Sequence, residues 1–342
     1  MKVALRRVTI LLMNILVTGV AGFIGSHVAE RLVAAGHVVY GIDNFDPYYD
    51  REIKDRNIAA LQDQTGFRFY EADLLDPRAL ANVIGTAAEA GRSIDAVIHL
   101  AAKAGVRPSI EDPHAYTRVN VEGTVNLLEA MNAGNVRDLI FASSSSVYGN
   151  TAEVPFREDA WVDHPISPYA ATKKAGELLT HTYSHIHGMR VAALRFFTVY
   201  GPRQRPDLAI AKFTRLISRD QPIPVYGDGT TRRDYTYIDD ILSGILGALE
   251  WIVTQDAGSW QVFNLGESRT VALGELIEIL ERTLGMRARL DRQPEQPGDV
   301  KQTWADTSRA AETFGYKPST PIEEGIRHYV QWFRQQKQQE TE

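Results

Sequence analysis

The sequence predicts an α/β fold, a doubly wound parallel sheet of the Rossmann type with a smaller C-terminal domain interleaved with it. Up to residue 197, short runs rich in β-branched residues alternate with helical segments, which is typical of a parallel sheet covered by helices on both faces. A glycine-rich turn at residues 19–25 follows the first run and opens the first helix. Beyond residue 198 prolines become frequent, which indicates a second, less regular unit.

Hydrophobic periodicity predicts the individual elements. A turn at residues 227–229, Gly-Asp-Gly, interrupts the second unit. The predicted strands are 15–18, 38–42, 67–71, 96–100, 139–142 and 191–196, and the predicted helices are 24–35, 119–132, 167–187 and 271–284.

Composition excludes several classes of function. The chain has 342 residues, 44% of them hydrophobic, which is enough for one large domain or two moderate ones. A net charge of −6 argues against a nucleic-acid groove or a polybasic membrane surface. With no cysteine, disulfides, cysteine-ligated zinc and a cysteine nucleophile are excluded, and the composition fits a reducing cytoplasm.

The two ends of the chain are predicted to lie outside the fold. Residues 1–12 carry basic residues and an apolar run like those of a signal peptide. The run continues into the first strand without a small-residue cleavage site, and it is too short to span a bilayer. We therefore interpret residues 1–12 as an extension, and residues 335–342 as a frayed polar tail.

The glycine-rich turn predicts a dinucleotide site, because glycines at a strand–helix turn let backbone N–H groups approach a pyrophosphate. The turn contributes Gly19, Gly22, Phe23, Ile24 and Gly25. Asp43 ends the second strand, where a carboxylate accepts from the adenosine 2′-hydroxyl and repels a 2′-phosphate, so NAD is favoured over NADP. The alternative is that Asp43 only caps the following turn.

Further cofactor contacts are expected at the ends of the next strands. The predicted set is Asn44, Asp73 and Leu74, with the last two placed for the adenine, and Leu100, Ala101, Ala102 and Lys103 beside the ribose.

Tyr169 and Lys173 lie four residues apart on one face of a predicted helix. A nearby cation favours a phenolate, so we expect Lys173 to lower the pKa of Tyr169. A tyrosine of this kind takes a proton from a sugar hydroxyl while a nicotinamide takes the hydride. Ser144, within the serine run 143–146, is expected to hydrogen-bond the same oxygen.

These motifs together resemble the extended short-chain dehydrogenase/reductases, and among them the nucleotide-sugar epimerases, over roughly residues 13–334. The resemblance implies a retained NAD, a nucleoside-diphosphate sugar in the C-terminal lobe, and a homodimer formed through a four-helix bundle. It also implies an NAD-binding domain of residues 13–197 and 237–265 and a sugar-binding domain of residues 198–236 and 266–334. The segments that carry the resemblance are 19–25, 43–44, 143–149, 169–173, 195–202 and 233–239.

By the same resemblance, Asn120 lies by the nicotinamide and Arg233 meets the diphosphate, which a planar guanidinium binds through two oxygens. The remaining predicted substrate residues are Arg107, Val225, Tyr226 and Asp299. Lys212 is a candidate for contacting uracil or phosphate, and the alternative for it is a surface lysine.

Ser146 distinguishes among these enzymes. Nucleotide-sugar 4,6-dehydratases and UDP-glucuronate decarboxylases carry a glutamate at this position, and a serine hydroxyl cannot act as the acid or base that dehydration needs. Simple 4-epimerisation remains, unless Glu153, Glu158 or Asp163 substitutes for the missing carboxylate.

The loop after residue 195 resembles that of UDP-glucuronate 4-epimerases, which interconvert UDP-glucuronate and UDP-galacturonate. Thr198 stands where UDP-galactose epimerases usually have asparagine. Ser145, Ser146, Thr198 and Arg205 are candidates for holding the sugar carboxylate; the alternative for Arg205 and Arg203 is a diphosphate contact or a solvated loop.

Two other activities stay open: a 4-epimerase of UDP-glucose or UDP-N-acetylglucosamine, and a catalytically silent NAD-binding sensor. A metal site is not predicted, because His181, His185 and His187 lack the acidic partner of a zinc motif and fit an exposed helix face.

Overall fold

The computed structural model describes residues 12–89, 91–151, 153–294 and 300–339. Within that part of the chain, seven parallel strands form the main sheet in the order β3-β2-β1-β4-β5-β6-β11. These strands are β1 (Asn14–Thr18), β2 (Val38–Asp43), β3 (Phe67–Glu71), β4 (Ala96–His99), β5 (Asp138–Ser144), β6 (Arg190–Phe196) and β11 (Trp260–Leu265).

The strand order reverses between β1 and β4, which is the switch point at which doubly wound sheets bind ligands. The helices associated with the sheet are α1 (Phe23–Ala34), α2 (Arg51–Gln62), α3 (Pro77–Glu89), α4 (Val106–Glu111), α5 (Pro113–Thr117), α6 (Gly123–Ala133), α7 (Pro168–His187) and α9 (Ile238–Ile252).

The central strands are buried on both faces because their side chains alternate between two hydrophobic cores. Ile15 and Val17 point into one core, and Leu16, between them, belongs to the other. Continuous apolar runs such as these indicate a sheet covered on both sides, and the predicted Rossmann fold is confirmed.

The chain leaves the sheet after β6 to begin a smaller lobe and returns to the sheet through α9 and β11. The elements after β11 complete the lobe. In this lobe β7 pairs with β10, β9 with β12, and β8 with β13. Its elements are β7 (Thr198–Tyr200), α8 (Ala209–Ile217), β8 (Ile223–Tyr226), β9 (Arg232–Arg233), β10 (Tyr235–Tyr237), β12 (Val271–Ala272), α10 (Leu273–Leu284), β13 (Leu290–Gln293), α11 (Ser308–Phe314) and α12 (Ile322–Gln339).

Three element predictions need correction. The helix expected at 271–284 begins at Leu273, because Val271 and Ala272 pair with β9. The helix expected at 119–132 begins with a π-helical turn, Arg118–Glu122, before α6. The polar tail expected from residue 335 is helical as far as Gln339, since α12 continues through it. Residues 1–11 and 340–342 lie outside the described residues.

None of the helices in the described ranges is long and apolar enough to cross a membrane. On α7, the ring of His181 packs edge-on against Trp260 and that of His187 packs against Tyr183. Among the described residues, no group of three or more histidine, cysteine, aspartate or glutamate side chains is arranged to hold a metal ion.

Candidate active site

A cleft of about 490 Å³ opens at the carboxyl ends of the central strands, at the switch point of the sheet. Loops that follow β1, β2, β4, β5 and β6 form its walls. Most of the predicted site residues line it: Gly19, Gly22, Phe23, Ile24, Gly25, Asp43, Asn44, Asp73, Leu74, Leu100, Ala101, Ala102, Lys103, Ser144, Ser145, Ser146, Tyr169, Lys173, Thr198 and Arg205.

The glycine turn forms a cradle that side chains would fill. Gly19 has φ of +70°, and a Cβ there would lie 2.9 Å from the backbone of Ala101. A Cβ on Gly25 would collide with the carbonyl of Gly19. Gly22, the residue before α1, has no side chain that could cap the N–H groups at the start of this helix. This end of the helix lines the cleft. This geometry fits the pyrophosphate of a dinucleotide.

Asp43 is buried at the end of β2, and its carboxylate accepts hydrogen bonds from two backbone N–H groups. One carboxylate oxygen accepts from the N–H of Phe45 at 2.8 Å, and the other accepts from the N–H of Ala21 at 3.1 Å. Burial raises the pKa of Asp43, which the positive charge of Lys54 opposes. Asp43 therefore caps the turn, as the alternative interpretation held, and it also lines the cleft.

The loop after β4 is held in place by Asn120. The Asn120 side chain accepts from the N–H of Lys103 at 2.8 Å and donates to the Lys103 carbonyl at 2.9 Å and to Thr172 Oγ1 at 3.0 Å. Asn120 is buried and lies outside the cleft wall. This amide therefore shapes the loop that carries Ala101–Lys103, and its place beside the nicotinamide stays a prediction.

Lys173 and Tyr169 lie one turn apart on α7, which begins at Ser167, whose side chain caps the helix. The ammonium of Lys173 donates to the carbonyl of Ala142 at 2.7 Å. Burial lowers the pKa of Lys173 to about 8.

The electrostatic environment of Tyr169 differs from the prediction. Burial raises the pKa of Tyr169, and a hydrogen bond with Ser144 and the charge of Arg205 oppose this rise. The expectation that Lys173 lowers the pKa of Tyr169 is wrong for this structure, because the cation that acts on the phenol is Arg205. Arg205 lies on another loop, far along the chain from Tyr169, so the spacing of residues in the sequence could not reveal its effect on the pKa of Tyr169.

Arg205 faces the cleft and also forms an ion pair with Asp207. Its Nε and Nη2 atoms donate to the two carboxylate oxygens of Asp207 at 3.0 and 2.7 Å. Tyr48 lies beneath the guanidinium, 5.0 Å from Cζ to the ring centroid, and its hydroxyl donates to Asp207 at 3.3 Å. A side-on carboxylate uses two of the five N–H donors of an arginine, so donors at the other edge remain for a ligand.

Those of the other predicted substrate residues that the structure describes do not line the cleft. The guanidinium of Arg107 lies over the ring of Tyr226 at 4.4 Å. Val225 is buried in β8, and Arg233 donates to the carbonyl of Arg232. Lys212 lies on α8, and Asp299 lies outside the described residues. Their substrate roles stay predictions.

Several cleft residues were not predicted as site residues. The loop after β2 contributes Asp46, Tyr48 and Tyr49, and α2 contributes Lys54. Asp46 also pairs with Lys103 at 3.1 Å, which joins the loops after β2 and β4. The aromatic and acidic composition of residues 46–50 was the available signal for this wall.

The three carboxylates considered as replacements for a catalytic glutamate lie away from the cleft. Glu158 accepts from the N–H of Asn264 at 2.9 Å, and Glu153 and Asp163 are exposed. All three lie outside the cleft wall. Ser146 lines the cleft at the position where a dehydratase would carry glutamate.

The fold and the cleft define a protein of the extended short-chain dehydrogenase/reductase class. A family model matches residues 16–329, and the chain belongs to that family, described as GDP-mannose 4,6 dehydratase. Ser146 separates the chain from the dehydratase activity in that description.

Individual relatives are similar along nearly the whole chain. The UDP-glucuronate 4-epimerase of Thermodesulfobacterium geofontis is 43% identical over 94% of this chain and 96% of its own length. UDP-glucuronate 4-epimerase 1 of Arabidopsis thaliana is 44% identical over 94% of this chain and 76% of its own length.

Solved structures of nucleotide-sugar epimerases are also similar to this chain along nearly its whole length. The Bacillus cereus UDP-glucuronic acid 4-epimerase, crystallised with UDP-glucuronic acid and NAD, has a TM-score of 0.87 and 37% identity, covering 95% of this chain and 100% of its own. The UDP-glucose 4-epimerase of Thermotoga maritima has a TM-score of 0.84 and 32% identity, covering 95% and 99%.

Proposed function

We propose that this protein is a UDP-glucuronate 4-epimerase that uses bound NAD to interconvert UDP-glucuronate and UDP-galacturonate. One observation carries the proposal: Tyr169, Lys173 and Ser144 share a cleft with Ser145, Ser146, Thr198 and Arg205, and a serine occupies the dehydratase glutamate position. The first group suits proton transfer at a sugar hydroxyl, and the second suits a carboxylate.

The glycine cradle and Asp43 would hold NAD, which supplies a hydride acceptor and donor when bound. Tyr169 removes the proton of the sugar 4-hydroxyl and later returns it. Ser144 orients that oxygen, and Lys173, fixed to Ala142, holds the cofactor ribose and keeps positive charge nearby. The 4-keto sugar turns about its linkage to UDP between the two proton transfers, so its other face receives the hydride.

A uronate needs one further control. Oxidation at C4 gives a β-keto acid, which loses CO2 when its carboxylate bond aligns with the ketone π system. Thr198, Ser145, Ser146 and the outer edge of Arg205 line the cleft, and in this proposal they hold the carboxylate away from this alignment. Arg205 is also the cation that acts on Tyr169, so one guanidinium serves both the carboxylate and the phenol.

A homodimer through α6 and α7 is part of the proposal. Leu178 and Ile186, two turns apart on α7, are 57% and 64% exposed, and a four-helix bundle would cover both. A cytoplasmic location is also proposed, which the cysteine-free composition fits.

The deciding experiment supplies purified protein with UDP-glucuronate, UDP-glucose or UDP-N-acetylglucosamine, one at a time, with products resolved by NMR. UDP-galacturonate should form, and the neutral sugars should react far more slowly. Preferred turnover of UDP-glucose would support the second candidate, a neutral-sugar 4-epimerase, which the similarity to the Thermotoga maritima enzyme favours. NAD binding without any conversion would indicate a sensor.

A further inference from the structure

Behind the cleft wall lies an ion pair that the proposed reaction does not use. Arg195 donates from Nε and Nη2 to the two carboxylate oxygens of Glu177, at 2.8 and 2.9 Å. The two side chains are 2% and 0% exposed. Burial raises the pKa of Glu177, but the hydrogen bonds and charge of Arg195 outweigh it, so the pKa lies below its ordinary value.

A buried ion pair is weak evidence for stability, because the cost of desolvating two charges offsets their attraction. Its best-attested use is to set one arrangement of neighbouring elements. The contacts of this pair show which elements are joined here.

Glu177 connects the catalytic helix to the catalytic serine. It lies on α7, one turn after Lys173 and two turns after Tyr169, and is therefore on their side of the helix. Its Oε1 atom accepts a hydrogen bond from Ser143 Oγ at 2.7 Å. Ser143 precedes Ser144 on β5, so this bond sets the distance between α7 and the strand end that presents Ser144.

Arg195 connects the same helix to the carboxylate-binding side. Its Nη1 donates to the hydroxyl of Tyr148 at 2.9 Å, and that hydroxyl donates to Asn264 Oδ1 at 2.7 Å. Tyr148 ends the 3-10 turn Ser145–Tyr148, which carries Ser145 and Ser146. Arg195 itself lies on β6, three residues before Thr198.

We infer that the Glu177–Arg195 ion pair positions the active site. The hydrogen bond from Ser143 to Glu177, here called the Ser143 branch, positions the proton-transfer groups. The hydrogen bond from Arg195 to Tyr148, here called the Tyr148 branch, positions the carboxylate-binding groups. Glu177, Arg195 and Tyr148 lie outside the cleft wall and act through other residues. The assignment of the second branch rests on the proposed UDP-glucuronate activity.

Each branch is testable by removing one hydroxyl. Variants of Glu177 or Arg195 would leave an unpaired buried charge and endanger folding, whereas Ser143→Ala and Tyr148→Phe keep the ion pair. Two matched controls remove buried hydroxyls that have no hydrogen-bond partner among the described residues, Ser184→Ala on α7 and Tyr40→Phe on β2.

Ser143→Ala should lower kcat about tenfold, since small misplacements of reacting groups have large effects on rate. KM and the NAD content of the purified protein should remain as in wild type. This arm uses whichever UDP-sugar the wild type epimerises, so its outcome is independent of the sugar assignment.

Tyr148→Phe should instead change the fate of the 4-keto uronate. A loosened carboxylate breaks its C5–C6 bond, the electron pair forms the C4–C5 enolate, CO2 departs, and protonation at C5 gives a UDP-4-keto-pentose. The keto group at C4 then takes back the hydride that C4 lost, so the product leaves as a UDP-pentose and the cofactor returns to its oxidised form. We expect CO2 release per turnover to rise several-fold, with kcat little changed. The control variants should match wild type in both assays.

The inference is wrong if Ser143→Ala and Tyr148→Phe behave like their controls, or if both variants show the same loss of kcat with no difference in CO2 release. A wild type that ignores UDP-glucuronate would overturn the proposed function and the Tyr148 branch, while the Ser143 arm would still decide whether the pair positions Ser144.

Discussion

The ammonium of Lys173 is bound to the carbonyl of Ala142, at 2.7 Å, two residues before Ser144 on the same strand. This bond fixes α7 to the end of β5, so the helix that carries Tyr169 and the strand that carries Ser144 keep one relative position. Burial lowers the pKa of Lys173 to about 8, whereas the pKa of Tyr169 is raised. The positive charge that opposes the raised pKa of Tyr169 is that of Arg205.

Tyr169→Phe should abolish turnover while NAD stays bound. Loss of a general base typically lowers the rate by about 10²–10⁴, and removing one hydroxyl leaves the ring packing in place. Steady-state assays and the absorbance of extracted cofactor measure the two effects. Tyr116→Phe is a matched control, because that ring packs edge-on against Tyr169 but its hydroxyl donates to the carbonyl of Ala104. Activity of Tyr169→Phe within a few-fold of wild type would remove Tyr169 from the mechanism.

The purified protein should carry NAD rather than NADP. Asp43 lines the cleft with its carboxylate fixed by two backbone N–H groups, and a carboxylate in that position repels a 2′-phosphate. Cofactor released by denaturation and identified by mass spectrometry provides the test. Recovery of NADP would show that Asp43 serves only the turn.

Arg205→Ala should weaken UDP-glucuronate far more than UDP-glucose, because only the uronate loses a charged partner. A charge-assisted hydrogen bond contributes about 1.5–3 kcal/mol, so KM for the uronate should rise by roughly ten- to 150-fold. The measurement is KM for both sugars, with trapped CO2 as a second readout. Asp207 loses its charged partner in this variant and keeps the hydrogen bond from Tyr48.

Arg203→Ala is the control for Arg205→Ala, since Arg203 is engaged with Glu30 at 2.6 Å and lies outside the cleft wall. It should leave the ratio of the two KM values unchanged. An equal rise in KM for both sugars, without CO2 release, would assign Arg205 to the diphosphate.

Glu267→Gln should raise the melting temperature at pH 8 but not at pH 5. Burial, with the negative charges of Asp240 and Asp234, raises the pKa of Glu267 to about 7. The folded state then binds more protons than the unfolded state between about pH 4.5 and 7, so this group lowers stability as pH rises through that window. Glutamine removes the charge, and the backbone N–H of residue 267 still donates to Asp234. Equal Tm changes at both pH values would contradict the assignment.

The order of strands and helices, the glycine turn and the pairing of Tyr169 with Lys173 could be predicted from the sequence. These features are local, because periodicity, turn chemistry and helical spacing are determined by residues close together in the chain. The place of the Asp43 carboxylate in the cleft was also predictable, because Asp43 ends the second predicted strand.

The electrostatics and the support of the site were decided by tertiary structure. Arg205 acts on Tyr169 from a loop 36 residues away, Asp207 and Tyr48 fix that arginine, and Asn120 holds the loop that carries Ala101–Lys103. Glu177 and Arg195 meet only because α7 packs across β5 and β6. Burial and contact between distant segments set pKa values and hydrogen-bond partners, and neither is encoded in the spacing of residues along the chain.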